Sequence, residues 1–276
     1  MKDHTHNHTP RATRYALTIG WLYPKLMSTY GDRGNIIVLT KRCEWRGIDV
    51  EVVPIDQTTT DQKLVTIDLF FAGGAQDREQ GIVMKDLKKG KAKILKDSIA
   101  NNTPALFVCG APQLMGKWYE PAEGERIEGV GVFDITTKHP GQNEPRLIGN
   151  IIAKINWTSL MSRGAGSLPP RGWEYIVGFE NHGGRTSLGK SVKPLAKVIV
   201  GHGNNGIDKT EGMVYKNAIG TYLHGPLLPK NPHIADWIIQ KALEVKYKQE
   251  IQLKELEDSL EYQAQKAIAK QLGVQL

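Results

Sequence analysis

The sequence predicts an α/β fold: a three-layer, mostly parallel sheet flanked by helices, with a C-terminal helical extension. Three observations carry this expectation. The first two-fifths of the chain alternate β-like and helical runs. The β-like runs at Ile67–Ala72 and Leu106–Val108 stop at Gly73-Gly74-Ala75 and Cys109-Gly110. From His233 to Leu272 the apolar spacing turns helical, with Ile234, Trp237, Ile238, Ala242 and Leu243 on one face. Strand–helix alternation implies a parallel sheet covered on both faces.

In chain order, Tyr15–Trp21 reads as a strand and Gly34–Arg46 as a helix, with Ile36, Leu39, Thr40 and Cys43 sharing a face. Ile48–Ile55 is a second strand and Ile67–Ala72 a third. Residues Asp77–Ala100 look helical with a weak point at Gly90, because glycine costs helix stability. Between about 127 and 223 the texture becomes short β-like runs with Gly and Pro turns: Gly129–Thr136, Ile148–Ile155, Tyr175–Phe179, Ala196–Val200, Met213–Tyr215 and Ala218–Tyr222. Ser162–Gly172 reads as a loop. Residues 1–13 are expected to be a disordered polar tail, 14–245 the folded domain, and 246–276 the extension. Leu253 onward is Gln/Lys/Glu-rich and is expected to be solvated rather than partner-binding.

The 276 residues suffice for a sizeable core. Two cysteines in different local settings argue against a disulfide framework and for a reducing, cytoplasmic compartment. No run is long enough to span a membrane, and no signal peptide is visible. The net charge of +7 lacks aromatic–basic interleaving or a helix-turn-helix signature, so it does not indicate nucleic acid. No metal-ligand spacing occurs, and the alternating histidines of the tail are read as solvated.

Cys109 is the strongest candidate for chemistry. A thiol on a strand-to-helix turn has the geometry of a nucleophile elbow, where the helix N-terminus favours thiolate. Cys43 lies on an apolar helical face and reads as core packing. A cysteine nucleophile needs a base and an oxyanion hole. His224 follows Ile219–Leu223 at a strand end, and His182 follows another; position ranks His224 ahead. Gly74, within Gly73-Gly74-Ala75, and Gly110 are candidates for the oxyanion donors. Gly201-His-Gly-Asn-Asn-Gly206 matches a dinucleotide fingerprint, but a hairpin rather than a helix is expected after it, so cofactor binding there is rejected.

Six segments together resemble the class I glutamine amidotransferases of the cobyric acid synthase type, and among them the glutaminase subunits of lipid II isoglutaminyl synthases. They are Tyr30-Gly-Asp-Arg-Gly-Asn35, Gly73–Gln80, Val108–Gly116, Gly178–Arg185, Gly203–Gly206 and Gly220–Pro232. The resemblance implies a flavodoxin-like sheet and a thioester formed by Cys109 from glutamine, with His224 moving protons. It implies that Arg146 grips the glutamine carboxylate and that Gln113 contributes to substrate binding. It also implies a Mur-ligase-like partner (MurT in this family) that takes the ammonia to D-glutamate of a lipid-linked peptidoglycan precursor. ATP and Mg are expected on that partner, with no cofactor in this chain, and the reaction is expected in the cytoplasm near the inner membrane face. The alternatives are another carboxylate acceptor, such as a cobyrinate-like one; a non-catalytic scaffold; and a cysteine hydrolase acting alone. Against the family pattern, Ala111 and Pro112 stand where Gly and Tyr are common, and Ala75 where a third glycine is. Pro226 stands where related enzymes carry the acid that orients the histidine. The orienting carboxylate must then come from elsewhere, be absent or be supplied by the partner, and the partner is the favoured source.

Overall fold

A computed structural model describes residues 15–141, 143–160 and 173–276. The expected tail, residue 14 and the Ser162–Gly172 loop lie outside them. The first half comprises β1 (Ala16–Leu22), α1 (Arg33–Glu44), β2 (Asp49–Ile55), α2 (Asp61–Leu64), β3 (Leu69–Ala72), α3 (Asp77–Leu87), α4 (Lys91–Ala100), β4 (Ala105–Val108) and α5 (Gly110–Met115). Then come β5 (Trp118–Glu120), β6 (Ile127–Glu128), β7 (Ile135–Lys138), β8 (Leu147–Ile155), α6 (Trp157–Leu160), β9 (Tyr175–His182), β10 (Arg185–Leu188) and β11 (Ala196–Val200). The chain ends with β12 (Thr210–Glu211), β13 (Met213–Tyr215), β14 (Ala218–Thr221), β15 (Leu223–His224), α7 (Pro232–Tyr247) and α8 (Ser259–Gln271).

The main sheet has the order β13-β14-β4-β3-β1-β2, parallel except at the β13 edge. β3 and β4 are buried at every position, which is why they read as unbroken apolar runs. Leu17, Ile19, Leu69 and Phe71 pack to one face with α1 and α7, while Leu22, Phe70, Ala105 and Phe107 pack to the other with α3 to α5. The predicted helix from 77 to 100 is two helices, separated at Gly90, whose φ is 145°.

Two further sheets flank this core, of order β10-β7-β5-β6 and β12-β11-β8-β9-β15. They collect most of the short β-runs expected between 127 and 223. Residues 129–134, expected to be extended, are a turn instead: Gly131 N donates to Gly116 O, and Val132 and Phe133 N both donate to Met115 O.

The C-terminal region departs from the expectation of one long helix and a solvated end. Lys248 takes a left-handed φ of 54° and stops α7. Residues 248–258 cross back over α1, and α8 packs on β8 and β9 through Ala269, Ile152 and Val177. Gln265 is buried there, and its Nε2 donates to Asn231 Oδ1 at 2.9 Å and Lys230 O at 2.8 Å. Arg42, only 2% exposed, joins the layers: it bonds Asp236 of α7 through Nε and Nη2 (2.6 and 2.7 Å) and Asp258 through Nη1 and Nη2 (2.6 and 2.9 Å). A charge so buried is tolerated because its hydrogen-bond capacity is nearly filled. Removing one member of a buried pair costs about 3–5 kcal/mol. Arg42→Ala is therefore expected to lower the unfolding free energy, measured by urea denaturation, by an amount in that range, whereas Lys93→Ala, which breaks an exposed pair with Asp97, is expected to change it little.

Candidate functional site

Cys109 ends β4 with φ 55° and ψ −99°, a conformation that a non-glycine residue holds only under surrounding constraint. That constraint is visible. Cys109 N donates to Thr221 O at 2.8 Å, tying the elbow to β14 three residues before His224. Pro112 sits in the first turn of α5, where a missing N–H costs nothing. Cys43 is fully buried in the core, and burial pushes its thiol up to about 12. It is the inert cysteine.

His224 is buried on β15, opposite Phe179 of β9. Its Nδ1 lies 3.1 Å from Asp32 Oδ1. Asp32 is itself fully buried, in the turn between β1 and α1, and its other oxygen accepts Gly74 N–H at 2.6 Å. Burial alone would push the His224 imidazolium down. The negative charge of Cys109, with hydrogen bonding to Asp32 and Cys109, outweighs it and carries the ring up to about 10. With Nδ1 committed to Asp32, the buried Nε2 is the nitrogen left to exchange a proton on the Cys109 side. Catalytic contacts are often loose until substrate arrives.

The carboxylate expected from a partner is thus present in this chain, 192 residues before the histidine it meets. The two turns pack tightly: a Cβ on Gly34 would collide with the Pro226 ring, so the α1 N-terminus lies directly on the turn after His224. The two motifs that meet are Tyr30–Asn35 and Gly220–Pro232.

Gly74 also needs correction. Its N–H is taken by Asp32, so it does not serve as an oxyanion donor. The free donor is the next residue: Ala75 N makes no hydrogen bond among the described residues, and it would lie 3.0 Å from a Cβ on Gly110. Gly110 N likewise makes no hydrogen bond among the described residues, so the unpaired amides of Ala75 and Gly110 lie close together next to Cys109. Gly74 is needed for space. A Cβ there would lie 2.8 Å from His224 Cε1 and 3.3 Å from Cys109 Cβ, and would also strike Thr29 Oγ1.

His182 is a structural histidine. It stacks on Tyr222 at 3.9 Å between ring centroids, its Nδ1 is paired with Gly184 O at 2.8 Å, and burial pushes it down to about 3. Gln113 is buried behind the elbow with its amide already engaged: Oε1 accepts from Gln80 at 3.0 Å and Nε2 donates to Tyr222 OH at 3.3 Å. It supports the pocket from within the protein rather than offering a free amide to a ligand. Arg146 lies at the rim, with Nε on Asn181 Oδ1 and Nη2 on Asn181 O, both at 2.9 Å. Asn181 Nδ2 donates to Tyr30 OH at 3.0 Å, and the Tyr30 ring stands edge-on to His224 at 5.0 Å.

The glycine-rich loop 201–206 is filled from inside. The buried Glu180 carboxylate accepts His202 N at 2.7 Å and Gly203 N at 2.8 Å, occupying amides that would otherwise cradle an anion. A hairpin of β13 and β14 follows, as expected.

A nucleophilic cysteine at the sheet edge, paired with a carboxylate-held histidine and facing two free amides, defines an acyl-transfer site on an α/β fold. Residues 18–232 match the model of the CobB/CobQ-like glutamine amidotransferase domain, and the chain belongs to that family. It is 40% identical over 257 residues to the lipid II isoglutaminyl synthase (glutamine-hydrolyzing) subunit GatD of Staphylococcus aureus, covering 92% of this chain and 95% of that one. It is likewise 40% identical to the subunit of the same name from Streptococcus pneumoniae, covering 89% and 88%. A probable cobyric acid synthase of Methanothermobacter thermautotrophicus is 29% identical over 210 residues, only 39% of its length. Among solved structures, a glutamine amidotransferase superposes with a TM-score of 0.54 at 12% identity, covering 81% of this chain and 98% of that one. The glutaminase domain of Trypanosoma brucei CTPS with bound acivicin gives 0.51 at 11%, covering 86% and 96%. These two share the fold. Among the described residues no helix is long and apolar enough to cross a membrane.

Because His224 is raised above its ordinary value, the charged ring stabilises the fold fully below about pH 6.5 and progressively less as pH rises toward about 10. Asp32→Asn removes one cause of that rise. Its destabilisation, read from urea midpoints, is expected to be larger at pH 6 than at pH 10.5. Equal losses at both would mean that Asp32 does not hold a charged His224.

Proposed function

We propose that this chain hydrolyses L-glutamine through a Cys109 thioester and hands the ammonia to a Mur-ligase-like partner. That partner amidates the D-glutamate α-carboxylate of lipid II to D-isoglutamine. The observation that carries the chemistry is the assembly of Asp32, His224 and the strained Cys109 at one sheet edge. In the reaction, the sulfur attacks the side-chain amide carbon, and the developing oxyanion sits between Ala75 N–H and Gly110 N–H. His224 protonates the departing nitrogen, which leaves as ammonia, and a γ-glutamyl thioester remains. The neutral ring then takes a proton from water. The hydroxide so formed attacks the thioester, releasing glutamate and restoring the thiolate. Arg146, whose Nη1 makes no hydrogen bond among the described residues, is suited to the substrate α-carboxylate, with the guanidinium held by Asn181.

The acceptor reading is supported by the GatD relatives, which match over nearly their full length. ATP and Mg belong to the partner's half of the reaction, on the cytoplasmic side where the lipid-linked precursor is made. A cobyrinate-like acceptor has less support, because the relatives of that kind align over a minor part of their length. A decayed scaffold has no reason to keep three buried groups in register.

Glutamate release from L-glutamine, by the chain alone and with its partner, tests the reading. With the carboxylate in this chain, the isolated protein is expected to release glutamate without help, and Cys109→Ala to abolish it. Release that persists in Cys109→Ala, or none in either state, would refute the thioester route. Asp32→Asn is expected to lower kcat by up to about 10⁴, as losing the orienting acid does in hydrolytic triads. It should also move the alkaline limb of kcat/KM from near pH 10 toward neutrality, since an unsupported imidazolium deprotonates earlier.

A further inference from the structure

Tyr30 is an odd residue to find at this position. It is 53% exposed, yet it holds a left-handed φ of 53° that its side chain does not favour. The turn is pinned on either side: Thr29 N donates to Gly74 O at 3.2 Å, and Asp32, two residues on, binds His224 and Gly74. The strained turn therefore aims one half-exposed ring at a chosen place, edge-on to His224 at 5.0 Å. The ring's hydroxyl is fixed by Asn181 Nδ2 at 3.0 Å. The same asparagine fixes Arg146 through its side-chain and backbone oxygens, each at 2.9 Å. One residue thus holds both the rim arginine and the tyrosine that braces the base.

We propose that Tyr30 is a positioning residue which, through Asn181, joins the capture of a carboxylate at Arg146 to the aim of the His224 ring toward Cys109. The carboxylate half of this statement rests on the glutaminase reading above. Asp32 fixes the ring at one nitrogen, and the Tyr30 ring packs across it at 5.0 Å, restricting rotation about that contact. A substrate carboxylate that settles on Arg146 pulls against Asn181, and the strain is relayed to Tyr30.

The test uses the full chain with Tyr30→Phe and Tyr30→Ala, and two readouts. The first is steady-state glutamate release. The second is alkylation of Cys109 by iodoacetamide at pH 7, followed by peptide mass, which needs no glutamine. Phe keeps the ring and loses the bond to Asn181, so it is expected to raise KM about five-fold while kcat falls less than two-fold. Ala loses the ring too, so kcat is expected to fall about ten-fold or more and alkylation to slow about three-fold or more, because a misaimed histidine supports less thiolate. A residue needed only for folding would not let Phe restore kcat and alkylation while KM stays high. Thermal midpoints of both variants check that the fold is retained. Values within two-fold of the parent for both variants overturn the proposal, and so does Phe behaving like Ala. If the parent releases no Cys109-dependent glutamate, the glutaminase reading fails, and alkylation decides alone: slowing in Ala supports the aiming role, and an unchanged rate overturns it.

Discussion

The site depends on one buried carboxylate. Asp32 divides its two oxygens between His224 Nδ1 and Gly74 N–H, and so sets the base and the glycine turn with a single group. Moving the turn by one residue matters: the amide of Gly74 is consumed in holding the acid, which leaves Ala75 to face the reacting atom. Buried charge of this kind is stable only when its lone pairs are used, and here the two strong bonds come from parts of the site that must stay fixed relative to each other. Base and oxyanion pocket are therefore not independent modules. Damage to one is expected to appear in the other, so single-residue effects should fail to add.

Much of this was legible from residues alone, and the limits have physical causes. Cys109 and His224 were visible because each ends an apolar run, and the ends of parallel strands are where ligands gather. Asp32 was not, although the same rule points at the turn after β1. Its partner is far away in sequence, and local pattern carries no distance information. Gly74 was assigned to the wrong task because a free amide and a bonded one look alike in sequence. The shortest strands of the flanking sheets and the return of residues 248–258 were missed for a related reason. Strands of two or three residues, such as β12 and β15, have too few positions to show a period. The polar composition after Leu253 also hid the few residues, Gln265 and Ala269 among them, that do the packing.

A second layer of buried acids supports the strand that bears His224. Glu211 accepts from Thr221 Oγ1 at 2.6 Å and Tyr222 N at 3.0 Å, holding the kink between β14 and β15. Burial pushes it up to about 7 against those hydrogen bonds, with Glu180 adding to the rise. Glu180 in turn fills the glycine-rich loop. A motif that elsewhere greets phosphate is here closed by the protein's own carboxylate, which removes an anion site and rigidifies the base of the pocket.

The topology also sets a timetable. The nucleophile turn is anchored to β14, which pairs in parallel with β4 although more than a hundred residues separate them. Long-range parallel pairing is slow and late, because a large loop must close before any contact repays it. On a ribosome the stretch carrying Cys109 emerges well before the one carrying His224, so the nucleophile turn and its base cannot meet until β14 and β15 have been made.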